Sequence, residues 1–269
     1  KVFGRPASLV DVPTHYCPGC HHGIIHRLVA EVIDELGVQD SAIGVAPVGC
    51  SVLAYDYFNI DMFEAAHGRA PAVATGIKRV HPEAPVFTYQ GDGDLAAIGA
   101  AEIVHAAARG EKITTIFVNN AIYGMTGGQA SPTTPEGAFT ATAPYGAIDP
   151  TFDICELAKG AGATFVARAT VAQPALCEQI LKKAIEHQKK GFAVVEIVSF
   201  CHTQFGRKNK RSRPLDNFNF FKDNSVMKAK ADTMSAEELK GKIVIGELLH
   251  REAEEYTHRY QQLIERVRG

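Results

Sequence analysis

The sequence predicts an α/β fold, a mostly parallel sheet with helices on both faces. Three observations carry that expectation. Strand-like runs and stretches of helical period alternate along the chain. The strand-like runs, such as APVFTYQ (84–90), KITTIFVNN (112–120) and FAVVEIVSF (192–200), are almost continuously apolar. Runs of that kind belong to strands covered on both faces, as in parallel sheets. Finally, the run 84–90 ends in Gly91-Asp92-Gly93 with a helix pattern directly behind it, the strand–turn–helix order of an open α/β sheet.

Taken in order, residues 1–16 read as an extended arm, because Pro6 and Pro13 prevent a long helix. HHGIIHRLVAEVIDELG (21–37) is helical. Its apolar residues recur at three and four positions, and Gly37 stands at the stop position. SAIGVAPVGC (41–50) reads as a buried strand entering a turn, and AVATGIKRV (72–80) as a helix of small residues. After the strand 84–90, residues 94–110 form a helix with Asp94 as its N-cap and Gly110 as its stop. The strand 112–120 follows. Residues 121–150, rich in Gly, Pro, Thr and Ala, form a long loop, whose length alone suggests function. A second stretch brings a helix at 152–162, a strand at 164–170, a helix at 173–188 and the strand 192–200. RKNKRSR (207–213) is expected to be a solvated basic loop, and 244–269 a polar surface helix with an apolar stripe. No internal repeat is visible. The organisation expected is an arm (1–16), a main domain (17–206) and a C-terminal extension (207–269) packing on that domain or on a partner.

Composition narrows the function classes. The chain has 269 residues, 28 Lys+Arg against 30 Asp+Glu, and a formal net charge of −2. That balance argues against wholesale nucleic-acid binding. No stretch approaches the apolar length of a membrane span. The first residues carry a Pro and charges where a secretory signal needs an unbroken apolar run, so a cytoplasmic location is expected. Six cysteines are too few for a disulfide scaffold of this length, and two of them stand as C-x-x-C. That pattern points to metal, cluster or redox chemistry.

The strongest local signal is QGDGDLAAIG (90–99) followed by VNNAIYG (118–124). The glycines let backbone approach a ligand closely, and the following helix N-terminus suits a phosphate. Asp92 at a strand end is placed for a hard cation. Twenty-five residues separate Gly93 from Asn119, enough for one helix and a returning strand. Asn120 can then emerge beside Asp92. A carboxylate, an amide oxygen, a backbone carbonyl and two phosphate oxygens make a good Mg²⁺ site. The cysteines form a second constellation. Cys17 and Cys20 precede a helix, while Cys50 and Cys201 each end a strand. Strand ends on one edge of a parallel sheet are neighbours, so four thiolates can converge. They suit either Zn²⁺ or a [4Fe–4S] cluster, and the spacing does not separate the two. Cys155 and Cys177 lie in amphipathic helix patterns and read as buried structural thiols.

GDG followed by NN resembles the thiamine-diphosphate-binding signature. The resemblance extends to Cys17-Pro18-Gly19-Cys20, Val48-Gly49-Cys50-Ser51, His67-Gly68-Arg69-Ala70 and Tyr123-Gly124-Met125-Thr126-Gly127-Gly128-Gln129. Together these look like the β subunit of 2-oxoacid:ferredoxin oxidoreductases, over roughly residues 14–206. The resemblance implies the thiamine-diphosphate-binding fold, with Mg²⁺ held by Asp92, Asn120 and the carbonyl of Ile122. It implies one [4Fe–4S] cluster on Cys17, Cys20, Cys50 and Cys201. Cofactor contacts are implied for Gly49, Cys50, Ser51, His67, Gly68, Arg69, Gly91, Asp92, Gly93, Asp94, Asn120, Ile122, Tyr123, Gly124, Met125 and Thr126. His67, Thr126 and Gln129 take catalytic positions. His21 departs from the pattern, since many relatives carry Gly there, and it could touch the cluster.

The activity implied is coenzyme A-dependent oxidative decarboxylation of a 2-oxo acid, with electrons passed through the cluster to ferredoxin. The Glu that such enzymes place against the aminopyrimidine ring sits on a separate domain, and no second α/β domain is visible. An α subunit is therefore expected to supply it, with γ and ferredoxin-like δ subunits as possible additions. The small residues of 126–129 leave room for a side chain larger than methyl, which favours 2-oxoglutarate or a branched-chain 2-oxo acid over pyruvate, with 2-oxoglutarate preferred. Two other classes stay in view: a cluster-free thiamine enzyme subunit and a zinc-binding interaction subunit.

Overall fold

The computed structural model describes residues 4–269. The first three residues of the expected arm lie outside them. From residue 4 the arm is tied down: Asp34 accepts from the Ala7 and Ser8 amides at 2.6 and 3.0 Å, and Leu9 bridges antiparallel to Phe58.

In chain order come α1 (His22–Leu36), β1 (Ile43–Ala46), β2 (Asp61–Glu64), α2 (Ala70–Val80) and β3 (Val86–Gly91). A π-helical turn (Gly93–Ile98) leads into α3 (Ala100–Arg109), then β4 (Thr114–Asn119), α4 (Ile154–Ala161), β5 (Phe165–Thr170), α5 (Pro174–His187) and β6 (Ala193–Val198). A second π-helical turn (His202–Gly206) precedes α6 (Pro214–Asn224), β7 (Ser225–Met227), α7 (Lys228–Ala231), α8 (Ala236–Leu239), β8 (Ile243–His250) and α9 (Tyr256–Arg268). The strands form one sheet in the order β2-β1-β3-β4-β6-β5-β8-β7. The six from β2 to β5 are parallel, and β8 joins β5 antiparallel.

Continuous apolar strands are two-faced, and the packing shows it. Ile116, Val118, Val195 and Ile197 face a core with α1 and α5. Their neighbours Phe117 and Val194 face another with α2, α3 and α4. Gly37 and Gly110 close α1 and α3 in the left-handed conformation, as their positions predict. The loop expected over 121–150 carries no helix or named strand up to Asp153, the N-cap of α4.

Three expectations fail. Asp94 is not an N-cap: it lies inside the first π-helical turn, α3 starts after Gly99, and its carboxylate is used elsewhere. The helix expected over 244–269 is divided. Residues up to His250 belong to β8, and only Tyr256–Arg268 is helical. The aliphatic run Ile243-Val244-Ile245 suits a strand, and the open edge of β5 offers the ladder that decides it. The basic loop is not wholly solvated: the Arg211 guanidinium lies 4.0–5.6 Å from the ring centres of Phe200, Phe205 and Phe220, a cation–π contact the charge run hides. The structure also adds β2, an exposed edge strand without an apolar run, and α6, whose signals were Pro214 at its first position and the capping contact of Asp216.

A polar chain crosses the buried sheet. Arg168 on β5 pairs with Glu196 on β6 at 2.5 Å and with Asp153 at 2.8 Å. Glu196 also accepts from Asn119 Nδ2 at 2.7 Å and from the Cys155 thiol at 3.2 Å. Burial pushes that thiol well up. Removing one member leaves the others buried and uncompensated. Glu196→Ala should therefore cost about 3–5 kcal/mol in urea unfolding, whereas Lys182→Ala, which breaks the exposed pair with Glu35, should cost less than about 1 kcal/mol.

Candidate active site

Because β1, β3, β4 and β6 run parallel, their carboxyl ends share one edge of the sheet. That edge receives Gly49–Ser51 after β1, Gly91–Asp94 from β3, Asn119–Gly124 from β4 and Ser199–Cys201 after β6. The loop between β2 and α2 brings His67.

Most of the expected cofactor residues line a single cavity there: Gly49, Cys50, Ser51, His67, Gly91, Asp92, Gly93, Asp94, Asn120, Ile122, Tyr123, Gly124, Met125 and Thr126. Gly68 and Arg69 stand behind it. The Gly68 amide donates to Asp94 Oδ1 at 2.6 Å, and Arg69 is ion-paired with Glu102. Gln129 is not among the lining residues; its amide is bonded to Thr126 at both ends, at 2.6 and 2.9 Å.

Asp92 is 1% exposed. Its Oδ2 accepts from Ser131 Oγ at 2.6 Å and Thr133 Oγ1 at 2.9 Å. Burial pushes its carboxyl up to about 6 against the pull of those hydrogen bonds. On its other side the Asn120 carboxamide oxygen faces only acceptors. It lies 2.5 Å from Asp92 Oδ1 and 2.8 Å from the carbonyl oxygen of Ile122. Either the amide turns over and donates to both, or a cation fills the point where three oxygens meet. The donor set is the one a hard cation takes.

The Ile122 carbonyl reaches that point because the chain turns sharply at Ala121, which has φ +62°. An alanine held left-handed costs about 1–2 kcal/mol, so neighbouring groups must hold it. Asn119 Oδ1 accepts from the Ala121 amide at 3.1 Å, and Thr134 Oγ1 donates to its carbonyl at 2.8 Å. Asn119 is itself gripped by Glu196 and by Thr133 at 2.9 Å. The two asparagines thus divide the work: Asn119 braces the turn, and Asn120 faces Asp92 and the Ile122 carbonyl. Asp94 organises the opposite wall, with His67 Nδ1, the Gly68 amide and Gln90 Nε2 all at 2.6 Å from its oxygens.

A second cavity adjoins the first and is lined by Cys17, Cys20, Cys50 and Cys201. The two cavities share His22, Cys50, Asn120, Gly124 and Met125. Gly124 keeps the junction open. A Cβ there would lie 3.4 Å from Cys50 Sγ, 3.5 Å from Asn120 Nδ2 and 3.7 Å from Cys201 Sγ. Burial pushes the thiols of Cys20 and Cys50 up to about 11 and about 12, and the neighbouring thiols add to it. Left alone they stay protonated, and a positive centre among them is what would ionise them. Among the described residues, the one set of three His, Cys, Asp or Glu ligand atoms within 4.8 Å of one another is Asp153, Cys155 and Glu196, where Arg168 already supplies the counter-charge. No three of the four cavity sulfurs are that close. Cys177 is fully buried in the core.

Sequence reasoning missed several site residues. Ser131 and Thr133 lie in the long loop and carry no motif. His22, next to the singled-out His21, has its ring between the two cavities. Its Nδ1 is 2.7 Å from Tyr89 Oη, its buried Nε2 has no partner, and burial lowers it to about 3. Ser51 Oγ is likewise buried without a partner. His21 lines the cysteine cavity.

Comparison with known proteins matches residues 47–197, more than half of the chain, to the thiamine pyrophosphate enzyme, C-terminal TPP binding domain. The chain is 46% identical over 259 residues to the 2-oxoglutarate synthase subunit KorB of Methanocaldococcus jannaschii, covering 96% of this chain and 95% of that protein. It is 48% identical over 224 residues to the ketoisovalerate oxidoreductase subunit VorA of Methanothermobacter thermautotrophicus, covering 76% of this chain and 47% of that protein. Its fold matches a solved 2-oxoglutarate:ferredoxin oxidoreductase from Magnetococcus marinus, with 2-oxoglutarate, coenzyme A and succinyl-CoA bound. There the TM-score is 0.86 and the identity 30%, covering all of this chain and 92% of the other. The thiamine edge, the adjoining cysteine cavity and these likenesses agree, and the chain belongs to the β subunits of the 2-oxoacid:ferredoxin oxidoreductases.

Proposed function

We propose that this subunit acts on 2-oxoglutarate, holding thiamine diphosphate through Mg²⁺ in the first cavity and one [4Fe–4S] cluster in the second. The observation that carries this reading is the pair of abutting cavities, one oxygen-lined and one sulfur-lined, with shared walls. Asp92, Asn120 and the Ile122 carbonyl are the protein ligands to Mg²⁺. Cys17, Cys20, Cys50 and Cys201 hold the cluster. Four sulfurs around one tetrahedral zinc with ~2.3 Å bonds would all stand ~3.8 Å apart, whereas no three of these four lie within 4.8 Å of one another. A larger, iron–sulfur-sized group fits them better. When bound, thiamine diphosphate supplies the electron sink for decarboxylation, and the cluster supplies one-electron acceptance.

The chain's own residues position and shield. Asp94 holds His67 by Nδ1, which leaves the other ring nitrogen for the cavity. Gly93 lets the Tyr123 ring close over the turn, since a Cβ there would come 2.1 Å from it. Asp92 and Asp94 are the only carboxylates lining the thiamine cavity, and both are engaged. No glutamate among the described residues lines that cavity to activate the aminopyrimidine, which supports an α subunit as its source. Tyr145 and Ile148, 97% and 88% exposed in the long loop, suit burial by that subunit. Ferredoxin is the expected electron acceptor. No helix among the described residues is long and apolar enough to cross a membrane.

The substrate reading rests on the 2-oxoglutarate relatives, which match nearly the whole chain. A branched-chain 2-oxo acid is the second reading, favoured by the ketoisovalerate relative and by a cavity lining with no Arg or Lys. On the 2-oxoglutarate reading, a cation for the distal carboxylate must come from the α subunit. Steady-state kcat/KM of the purified complex with both acids decides: 2-oxoglutarate should be preferred by at least tenfold, and a preference for 2-oxoisovalerate overturns the assignment.

Three further outcomes are expected. Asp92→Ala removes the one charged ligand, so calorimetric affinity of the complex for thiamine diphosphate with Mg²⁺ should fall at least a hundredfold; unchanged affinity would show that the oxygen cage is not the cation site. Cys50→Ser should lower iron and sulfide content while leaving thiamine binding within a few-fold. The isolated chain, assayed with coenzyme A and an electron acceptor, should turn over less than a hundredth as fast as the co-expressed complex. Full turnover from the single chain would refute the divided active site.

A further inference from the structure

His22 opens α1 directly behind Cys20 and is 4% exposed. Its ring is fixed on three sides. Nδ1 lies 2.7 Å from Tyr89 Oη. One face stacks on Tyr16 at 4.6 Å with the planes 3° apart, and the edge of His26 stands 6.3 Å away. The backbone amide of His22 is already bonded to Cys20.

This arrangement selects a tautomer. Tyr89 is fully buried, and His22 Nδ1 is the hydrogen-bond partner the structure gives its hydroxyl. If Nδ1 carried the proton, the phenolic hydrogen would be buried without an acceptor, a loss of about 1–3 kcal/mol. The phenol therefore donates to Nδ1, and the imidazole proton sits on Nε2. That nitrogen is buried and has no partner in the protein, yet His22 lines both cavities. A buried donor with nothing to receive it points to an acceptor that the protein itself does not supply. On the reading above, the acceptors these cavities offer are the thiamine cofactor and the sulfur assembly held by the cysteines. Tyr16 and His21, the ring's stacking partner and its chain neighbour, both line the cysteine cavity and not the thiamine one.

We propose that His22 Nε2–H donates a hydrogen bond to a sulfur of the iron–sulfur cluster on its thiamine-facing side, and so raises the cluster's reduction potential. This rests on the cluster reading of the cysteine cavity. One-electron reduction adds negative charge to the sulfurs, and a fixed donor stabilises the reduced form more than the oxidised form. The bond lies on the side from which electrons arrive.

The test is a redox titration of the anaerobically purified complex, following by electron paramagnetic resonance the signal that Cys50→Ser abolishes. His22→Leu keeps bulk and removes the donor. At a fixed solution potential its reduced-to-oxidised ratio should fall about tenfold, a midpoint about 59 mV more negative for one electron. His22→Gln, whose amide reaches close to the Nε2 position, should recover most of that loss. A ratio unmoved in His22→Leu, with iron and sulfide retained, overturns the proposal and leaves the cluster reading intact. If His22→Leu loses iron, Tyr89→Phe is read instead. It keeps the imidazole and releases Nδ1, and the ratio should again fall; an unmoved ratio overturns the proposal. Wild-type complex without the Cys50-dependent signal, iron or sulfide overturns both.

Discussion

The parallel register of β1, β3, β4 and β6 is the constraint on which the rest depends. Strands that run the same way end at the same edge, so segments far apart in sequence are delivered to one place. The pairing Gly91↔Val118 sets the Asp92 turn beside the end of β4, and Asn119↔Val198 sets Cys201 beside that same end. The coupling continues past the strands. The Ser199 and Cys201 amides donate to the carbonyls of Asn119 and Asn120 at 2.8 and 3.1 Å. One strand end thus sets Asn120 against Asp92 and holds Cys201 in place, which makes the two cavities neighbours.

Such an edge gathers negative charge, and burial makes it expensive. Asp92, Asp94 and the thiols of Cys20 and Cys50 all have their charged forms disfavoured by desolvation. The chain offsets only part of this with hydroxyls and amides. On the proposed reading Mg²⁺ and the cluster complete the balance, the first among the oxygen donors and the second among the sulfurs. The brace behind them is ionic: Arg168, Glu196 and Asn119 connect the sheet interior to the strained Ala121 turn. A buried network of this kind serves geometry more than net stability.

Parts of the molecule can be read without coordinates because they obey local rules. Two-faced strands announce themselves by unbroken apolar runs. Gly37 and Gly110 mark helix ends. Gly91-Asp92-Gly93 and Asn119-Asn120 are legible as segments that meet at one edge of the sheet, because a strand–turn–helix and a returning strand of that length leave few alternatives. Residues without local signals are not. Ser131 and Thr133 sit in a loop of similar small polar residues. Glu196 lies within an apolar strand run and looks like an interruption. His22 reads as the first residue of an amphipathic helix. Asp94 was misread because a carboxylate before an apolar helical run has the pattern of an N-cap, while its real partners, His67 and Gly68, are 27 and 26 residues away.

Local chemistry along the chain decides which segments are strands, where helices stop, and which residue types are available for oxygen and sulfur ligation. Pairing between distant segments decides the remainder. Residues 243–250 become a strand only because β5 has an open edge, and Arg211 leaves solvent only because Phe200, Phe205 and Phe220 converge. The orientation of Asn120, the turn at Ala121 and the unpartnered nitrogen of His22 arise from packing across four strands. A side chain's sequence neighbours fix its chemistry, whereas its partners and its direction are set by whatever the fold brings against it.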